Sequence, residues 1–132
     1  AKLMHQLSPR LLMVLGFTLF IVAYVLQLGF NYTTSWSSVL LTLTLIGIGW
    51  GFVWTPSTVV AISTLDASKS GLASGSLVTM QEMGGTLGLA LTATLMRSFA
   101  GFTGFHHALW IVLIFSALGL LISLLLPSKK TT

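Results

Sequence analysis

Two long stretches of this chain contain no charged side chain. The first lies between Arg10 and Asp66, and the second lies between Arg97 and Lys129. Only 6% of the 132 residues are charged, whereas a soluble domain has about 25%. No ordinary solvated surface can be drawn over such stretches, so they belong in lipid. The sequence therefore predicts an integral membrane protein.

The apolar stretches are long enough for four membrane crossings. A crossing helix needs about 20 residues, because the hydrocarbon core is about 30 Å thick and an α-helix rises about 1.5 Å per residue. We predict an all-α, single membrane domain over residues 1–132, with transmembrane helices at about 9–30, 36–62, 72–97 and 106–126. Ser8 followed by Pro9 is typical of a helix start.

Basic residues predict the orientation of these helices. Five of the six lie on one side of the predicted membrane, and Arg97 lies on the other. Because short cytoplasmic loops are enriched in Lys and Arg, we expect both termini in the cytoplasm and the protein in the cytoplasmic (inner) membrane. Trp36, and Trp110 in the first turn of helix four, are expected at the outer boundary. His106 and His107 are expected there as boundary residues, with gating or proton relay as the alternative.

Composition excludes several classes of function. The basic residues are scattered at helix ends and form no patch, so nucleic-acid binding is not expected. Two acidic residues, three histidines and no cysteine, spread over different depths, cannot assemble a metal site or a catalytic triad within this chain. We therefore expect no enzyme, no metal and no cofactor.

The four predicted helices differ in character. Helices one and four consist almost wholly of Leu, Ile, Val, Phe and Ala, and are expected to face lipid. Helices two and three carry glycines, a proline, deep tryptophans and a Gln–Glu pair, which lipid tolerates poorly, so they are expected to be central. Glycines four apart indicate close helix packing. The residues expected to serve packing or bending are Gly47, Gly51, Pro56, Gly71, Gly75, Gly84, Gly85 and Gly88.

Trp50 and Trp54 lie too deep in the predicted membrane to be interface anchors. Their spacing of four places them on one face of helix two. One interpretation is packing against neighbouring helices. The other is an aromatic wall for an apolar or cationic ligand.

Glu82 is expected about 15 Å into the membrane, near its midplane. An ionised carboxylate in lipid costs at least about 3 kcal/mol, so Glu82 must be protonated, paired or facing water. Three interpretations stay open: a transport role, a neutral hydrogen-bonded carboxyl, or a pair with a basic residue on a segment outside this chain. Gln81 either joins the same polar cluster or bonds another helix.

The run GIGWGFVWTPSTVVAISTLDASKSGLASGSLVTMQEMGGTLGLAL resembles the C-terminal half of drug:proton antiporters of the major facilitator superfamily, especially the fourteen-helix multidrug efflux branch. The residues that carry the resemblance are Gly47, Gly49, Gly51 and Pro56, then Gly71 to Gly75, then Gly84, Gly85 and Gly88. The resemblance implies the last four helices of a proton-coupled exporter that works by alternating access. Family members often have Arg–Gln in place of Gln81–Glu82, so no proton-coupling role for Glu82 is implied.

The first residue is Ala1 and not Met, which favours the C-terminal part of a longer transporter. The expected partners are the lipid bilayer, a small-molecule substrate, protons and the N-terminal part of the same transporter. Two alternatives stay open. One is a complete four-helix protein that acts as an oligomer, and the other is a non-transporting membrane scaffold.

Overall fold

The computed structural model describes residues 8–63, 69–99 and 101–126. Within these ranges the chain forms four α-helices, which confirms the all-α prediction. They are α1 (Pro9–Leu28), α2 (Trp36–Ser63), α3 (Ser70–Ser98) and α4 (Phe102–Leu125). Ala1, Asp66 and Lys129, which entered the predictions above, lie outside the described residues.

Three of the four helices, α1, α2 and α4, are long and apolar enough to cross a membrane. Helix α3 is the longest, at 29 residues, but Gly, Ser, Thr and the Gln–Glu pair interrupt its aliphatic residues and make it less apolar. Its crossing of the membrane stays a prediction.

The start of α1 has the cap that the sequence predicts. Ser8 adopts an extended backbone conformation, and its hydroxyl oxygen accepts a hydrogen bond from the Leu11 N–H at 3.4 Å. Pro9 follows as the first helical residue, where its missing N–H costs nothing. Helix α2 begins at Trp36, also as predicted.

The connection between α3 and α4 is shorter than predicted. Helix α4 begins at Phe102, four residues earlier than the predicted residue 106. Gly101 has a φ of 62°, a left-handed conformation that glycine adopts without steric cost. Gly104 lies inside α4 rather than in a loop, and Trp110 therefore lies two turns into the helix rather than in its first turn.

The chain divides into two compact units. The first contains α1, α2 as far as Ser57, and α4 from Leu109. The second contains the rest of α2, the whole of α3, and α4 as far as Ala108.

In the first unit, α1 and α2 approach each other at two glycines. A Cβ added to Gly16 would lie 2.8 Å from the Gly49 carbonyl oxygen, and one added to Gly49 would lie 3.0 Å from the Gly16 carbonyl oxygen. On α4, a Cβ added to Gly119 would overlap the Phe17 ring. Small residues let helix backbones come this close, and close packing is what holds helices together in lipid.

A buried polar contact also joins α1 to α2. The Gln27 amide nitrogen Nε2 donates to Thr42 Oγ1 at 3.2 Å, and the Thr42 hydroxyl donates to the Val39 carbonyl at 3.0 Å. Thr42 is only 1% exposed. Its hydroxyl is thus satisfied within the protein, as a polar group away from water must be.

Candidate functional site

The two deep tryptophans of α2 form a stacked pair. The ring centroids of Trp50 and Trp54 are 6.2 Å apart, and their planes differ by only 5°. One turn of helix separates the two residues, which is why their rings lie on the same face. Trp50 is 50% exposed, so the pair presents aromatic surface and is not enclosed by the chain.

Helix α2 is locally modified just after this pair. Pro56 is buried inside the helix and has no N–H to donate to the Phe52 carbonyl. Ser57 donates its hydroxyl to the Val53 carbonyl at 2.6 Å, a side-chain bond that competes with the backbone ladder. Both features favour a bend in α2 at this point.

The hydroxyl groups of α3 bond within their own helix. Five of them donate to the carbonyl four residues earlier at 2.7–2.9 Å: Ser74, Thr79, Thr86, Thr92 and Thr94. Hydroxyls satisfied in this way can lie in an apolar environment without cost from unpaired polar atoms. The polarity that α3 presents to its surroundings is therefore concentrated elsewhere.

In the middle of α3, away from Arg97 in its last turn, the other polar side chains are Gln81 and Glu82. Gln81 is partly buried and Glu82 is exposed. Among the described residues, no side-chain hydrogen bond or ion pair engages either of them. Glu82 lies 12 residues from the start of α3 and 16 from its end, about 18 and 24 Å along the axis. A carboxylate is thus available near the middle of the helix.

A shallow groove runs along α3 between Gly71 and Met83. Its volume is 510 Å³, within the range of about 300–1,000 Å³ that small-molecule sites have. Gly71 and Gly75 line this groove. Glu82 does not line it, but lies within about 20° of Gly71 around the helix axis and about 10 Å beyond Gly75 along it. The glycines therefore leave space on the part of the α3 surface that adjoins Glu82.

The predicted packing glycines have open surroundings. A Cβ added to any of them would meet no heavy atom within 4 Å in the described part of the chain, its own helix backbone excepted. They are Gly47, Gly51, Gly71, Gly75, Gly84, Gly85 and Gly88. Their packing role stays a prediction, and it requires neighbours other than these residues.

The four predicted substrate-path residues fall in the two units. The first unit brings Trp50 and Trp54 together, and the second contains Gln81 and Glu82 side by side. Each pair is thus a local arrangement on one helix.

A family model described as Major Facilitator Superfamily matches residues 1–132, the whole length of the chain. The chain belongs to the Major Facilitator Superfamily. No curated protein and no solved structure matches it. Members of the superfamily are membrane transporters and not enzymes, so the chain belongs to a transporter that contacts the lipid bilayer and a small-molecule substrate.

The superfamily builds each half of a transporter from six helices, arranged as two inverted three-helix repeats. The described residues form four. Binding sites in such transporters lie near the midplane and use helices interrupted by Gly or Pro. Helix α2 contains Pro56 after the tryptophan pair, although the helix continues without a break from Trp36 to Ser63.

Sequence reasoning missed the residues that hold the first unit of this superfamily chain together. Gly16, Gln27 and Gly119 lie in α1 and α4, whose composition is almost wholly apolar, and Thr42, the partner of Gln27, lies in α2. The sequence did contain a signal for these residues. Each glycine, and Gln27, is surrounded in the sequence mainly by aliphatic or aromatic residues. A small or polar residue that interrupts such a stretch indicates a protein contact and not lipid.

Proposed function

We propose that this chain is part of a secondary active transporter that exports apolar or cationic small molecules in exchange for protons. The observation that carries the proposal is the pair Gln81 and Glu82. On a helix whose hydroxyls mostly bond to their own backbone, these two side chains have no such partner among the described residues. An amide and a carboxyl so placed are free to bind a ligand or a proton.

Glu82 is the only acidic residue in the four described helices. An ionised carboxylate at midplane depth costs at least about 3 kcal/mol in lipid, so its charge must be balanced by a proton or a cation. A carboxyl that alternates between the two can exchange protons for a cationic substrate. Glu82 is therefore the site at which we propose that the exchange takes place.

The tryptophan pair supplies the second half of the proposal. Exposed indole faces attract cations and apolar groups, and a parallel stack leaves one outer face for a ligand. Trp50, which is half exposed, is the side chain we propose to contact the substrate. The bend at Pro56 would let this part of α2 move during alternating access.

We further propose that the four helices work together with the N-terminal part of the same transporter, in the cytoplasmic membrane and with both termini in the cytoplasm. The open glycine faces of α2 and α3 support this, because they offer close-approach surfaces that the described chain leaves uncovered. The positive-inside rule supports the orientation.

Replacing Glu82 tests the exchange. Glu82→Gln keeps the shape and removes the charge, whereas Glu82→Asp keeps the carboxyl and serves as its matched control. In membrane vesicles that contain the transporter, we expect Glu82→Gln to abolish proton release driven by a cationic dye, and Glu82→Asp to retain part of it. Normal dye export and proton release by Glu82→Gln would contradict the proposal that the exchange takes place at Glu82.

A matched pair of variants tests the aromatic contact. Trp50→Phe retains a smaller aromatic face, and Trp50→Leu removes it. Because a cation–π contact contributes about 0.5–2 kcal/mol, we expect Trp50→Leu to weaken binding of a cationic dye by about 2- to 30-fold, and Trp50→Phe to weaken it less. Equal affinities for both variants and the parent would show that Trp50 only packs.

A further inference from the structure

A cleft lies where the end of α1 meets the start of α2. Both helices are long and apolar enough to cross a membrane, so residues 29–35, which connect them, lie where the chain leaves and re-enters the hydrocarbon. Tyr32 in this connection and Trp36 at the start of α2 are residue types that are enriched at that depth. The cleft has a volume of about 340 Å³, and its lining residues belong to the first unit. It is therefore a cavity at a membrane surface.

Hydrogen bonds within the connection hold the polar lining in place. The Asn31 side-chain oxygen Oδ1 accepts bonds from the Thr33 N–H at 2.9 Å and from the Thr33 hydroxyl at 2.6 Å. The Asn31 N–H donates to Thr34 Oγ1 at 2.7 Å. The Ser38 N–H donates to the Ser35 carbonyl at 3.1 Å, which fixes Ser38 in the first turn of α2. Asn31, Thr34 and Ser38 line the cleft, so its polar side chains are preorganised.

The side-chain groups that these bonds leave free are donors. The Asn31 Nδ2 amide, the Thr34 hydroxyl hydrogen and the Ser38 hydroxyl have no acceptor among the described residues. Thr33 fixes the orientation of the Asn31 amide, because a backbone N–H can bond only to the side-chain oxygen of that amide. Donors present the positive ends of their bonds to a ligand. The side chains of the cleft therefore suit a hydrogen-bond acceptor and disfavour a cation.

Apolar side chains also line the cleft, and the nearest charge is far away. Leu26 of α1 and Leu41 of α2 belong to the lining. Gly29 belongs to it as well, and a Cβ added there would lie 3.5 Å from the Leu26 carbonyl oxygen, an ordinary contact. Arg10 is the one charged residue in the described part of the first unit, and it lies about 24 Å from Leu26 along α1. Hydrogen bonds and apolar contact, rather than opposite charge, are thus what the cleft offers a ligand.

We propose that the cleft binds one phospholipid of the surrounding membrane. The phosphodiester and ester oxygens of a phospholipid accept hydrogen bonds, which matches the free donors of the cleft. Its acyl chains are apolar, which matches Leu26 and Leu41. These oxygens also lie in the interfacial region of the bilayer, at the depth of the α1–α2 connection. The inference does not depend on the proposed exchange at Glu82, because a cationic substrate has the opposite requirement.

Native mass spectrometry of the full chain in detergent micelles, with phosphatidylcholine added, tests the proposal. We expect each chain to retain one lipid. Ser38→Ala removes one donor, so we expect the affinity to fall by about 2- to 10-fold. Ser38→Leu and Gly29→Leu each fill the cleft, so we expect either to weaken binding by more than about 10-fold. Ser37→Leu is the matched control, because it adds the same side chain at a residue that does not line the cleft. It should bind lipid as the parent chain does.

Two further measurements separate a phospholipid from other occupants. Phosphatidylglycerol should bind within about twofold of phosphatidylcholine, with little change between about 0.1 and 0.5 M salt, because no charge lies close to the cleft. Glycerophosphocholine has the same phosphodiester as phosphatidylcholine but no acyl chains, so it should not compete with the lipid.

Unchanged lipid binding by both Ser38→Leu and Gly29→Leu would overturn the proposal. So would an equal loss in Ser37→Leu, which would indicate lipid contact over the whole surface rather than at the cleft. Competition by glycerophosphocholine would show that the cleft takes a water-soluble phosphodiester instead, and a preference for phosphatidylglycerol that salt removes would show that charge governs the binding. Circular dichroism reports whether each variant retains its helices, and if Ser38→Leu does not, Gly29→Leu decides.

Discussion

Gly16 of α1 and Gly75 of α3 are the same residue type in opposite environments. A Cβ added to Gly16 would lie 2.6 Å from Val53 Cγ2 and 2.8 Å from the Gly49 carbonyl oxygen. A Cβ added to Gly75 would meet nothing within 4 Å among the described residues, its own helix backbone excepted. One glycine brings two backbones together, and the other leaves a groove open. The spacing of glycines in the sequence therefore does not show whether they bring two helix backbones together or leave a groove open.

The helices that carry these glycines differ in the same way. Helix α1 has five buried residues in a length of 20, and α3 has one in a length of 29. The sequence favours the reverse, with α1 facing lipid and α3 central. An aliphatic helix is equally compatible with lipid and with protein neighbours, because both are apolar. The central position of α3 stays a prediction that concerns contacts beyond the described chain.

Filling the α1–α2 contact should have the largest effect on stability. Gly16→Leu places a side chain where the Gly49 carbonyl already lies, so the two backbones must separate. We expect the free energy of unfolding to fall by about 3 kcal/mol, at the upper end of overpacking effects. Titration of the micelle-bound chain with a denaturing detergent, followed by circular dichroism, measures the change.

Gly75→Leu is the matched control for that substitution. It adds the same side chain in open space, so we expect a change within about 0.5 kcal/mol. If Gly16→Leu and Gly75→Leu lowered the free energy of unfolding by similar amounts, Gly16 and Gly75 would not differ in how closely they are packed.

The second largest effect is expected at Gly104 in the other unit. A Cβ there would lie 2.9 Å from the Leu95 carbonyl oxygen and 2.8 Å from Met96 Cα, both backbone atoms that cannot rotate away. We expect Gly104→Ala to destabilise the chain by about 2 kcal/mol, and thermal unfolding in micelles measures it. An unchanged thermal stability of Gly104→Ala would mean that α3 and α4 are less closely packed than the structure shows.

Gly101→Ala is compared with Gly104→Ala in order to separate backbone strain from close packing. Gly101 has a left-handed backbone, which costs a non-glycine residue about 1–2 kcal/mol through strain and not through packing. Gly101→Asn, which tolerates this conformation better, should recover part of the loss. No such recovery is available at Gly104, so the two glycines can be told apart.

These glycines also show where prediction from sequence succeeds and where it stops. The start of α1 was predictable because Ser8 and Pro9 are local signals, and the existence of four helices followed from apolar length. The start of α4 was predicted four residues late, because Gly101 and Gly104 both resemble loop residues. Only the contact with α3 shows that Gly104 is helical. Of the candidate site, the sequence predicted the common face of Trp50 and Trp54, since helical spacing alone places them together.

A smaller effect is expected from the Gln27–Thr42 hydrogen bond. We propose a double-mutant cycle with Gln27→Leu and Thr42→Val, because each single change leaves the other polar group without its partner. Hydrogen bonds between membrane helices have coupling energies of about 0.6 kcal/mol on average and up to about 1.7. Unfolding in detergent should give a coupling in that range.

Thr44→Val is the control for the cycle. The Thr44 hydroxyl donates to the Leu40 carbonyl in its own helix at 2.8 Å, so its removal should show no coupling to Gln27→Leu. Equal coupling of Gln27 to both threonines would mean that the measured energy does not come from the α1–α2 hydrogen bond.

The smallest effect on stability is expected for Gly75→Ala, and it is the most informative about function. Alanine has a higher helix propensity than glycine, so we expect the free energy of unfolding of the chain to rise by about 0.5 kcal/mol. In the transporter, the same methyl group narrows the groove on the face of Glu82. Dye export from vesicles should therefore fall although the chain is no less stable. Unchanged export would show that the groove is neither a contact surface nor a path, whereas lower stability would show that α3 is packed as closely as α1.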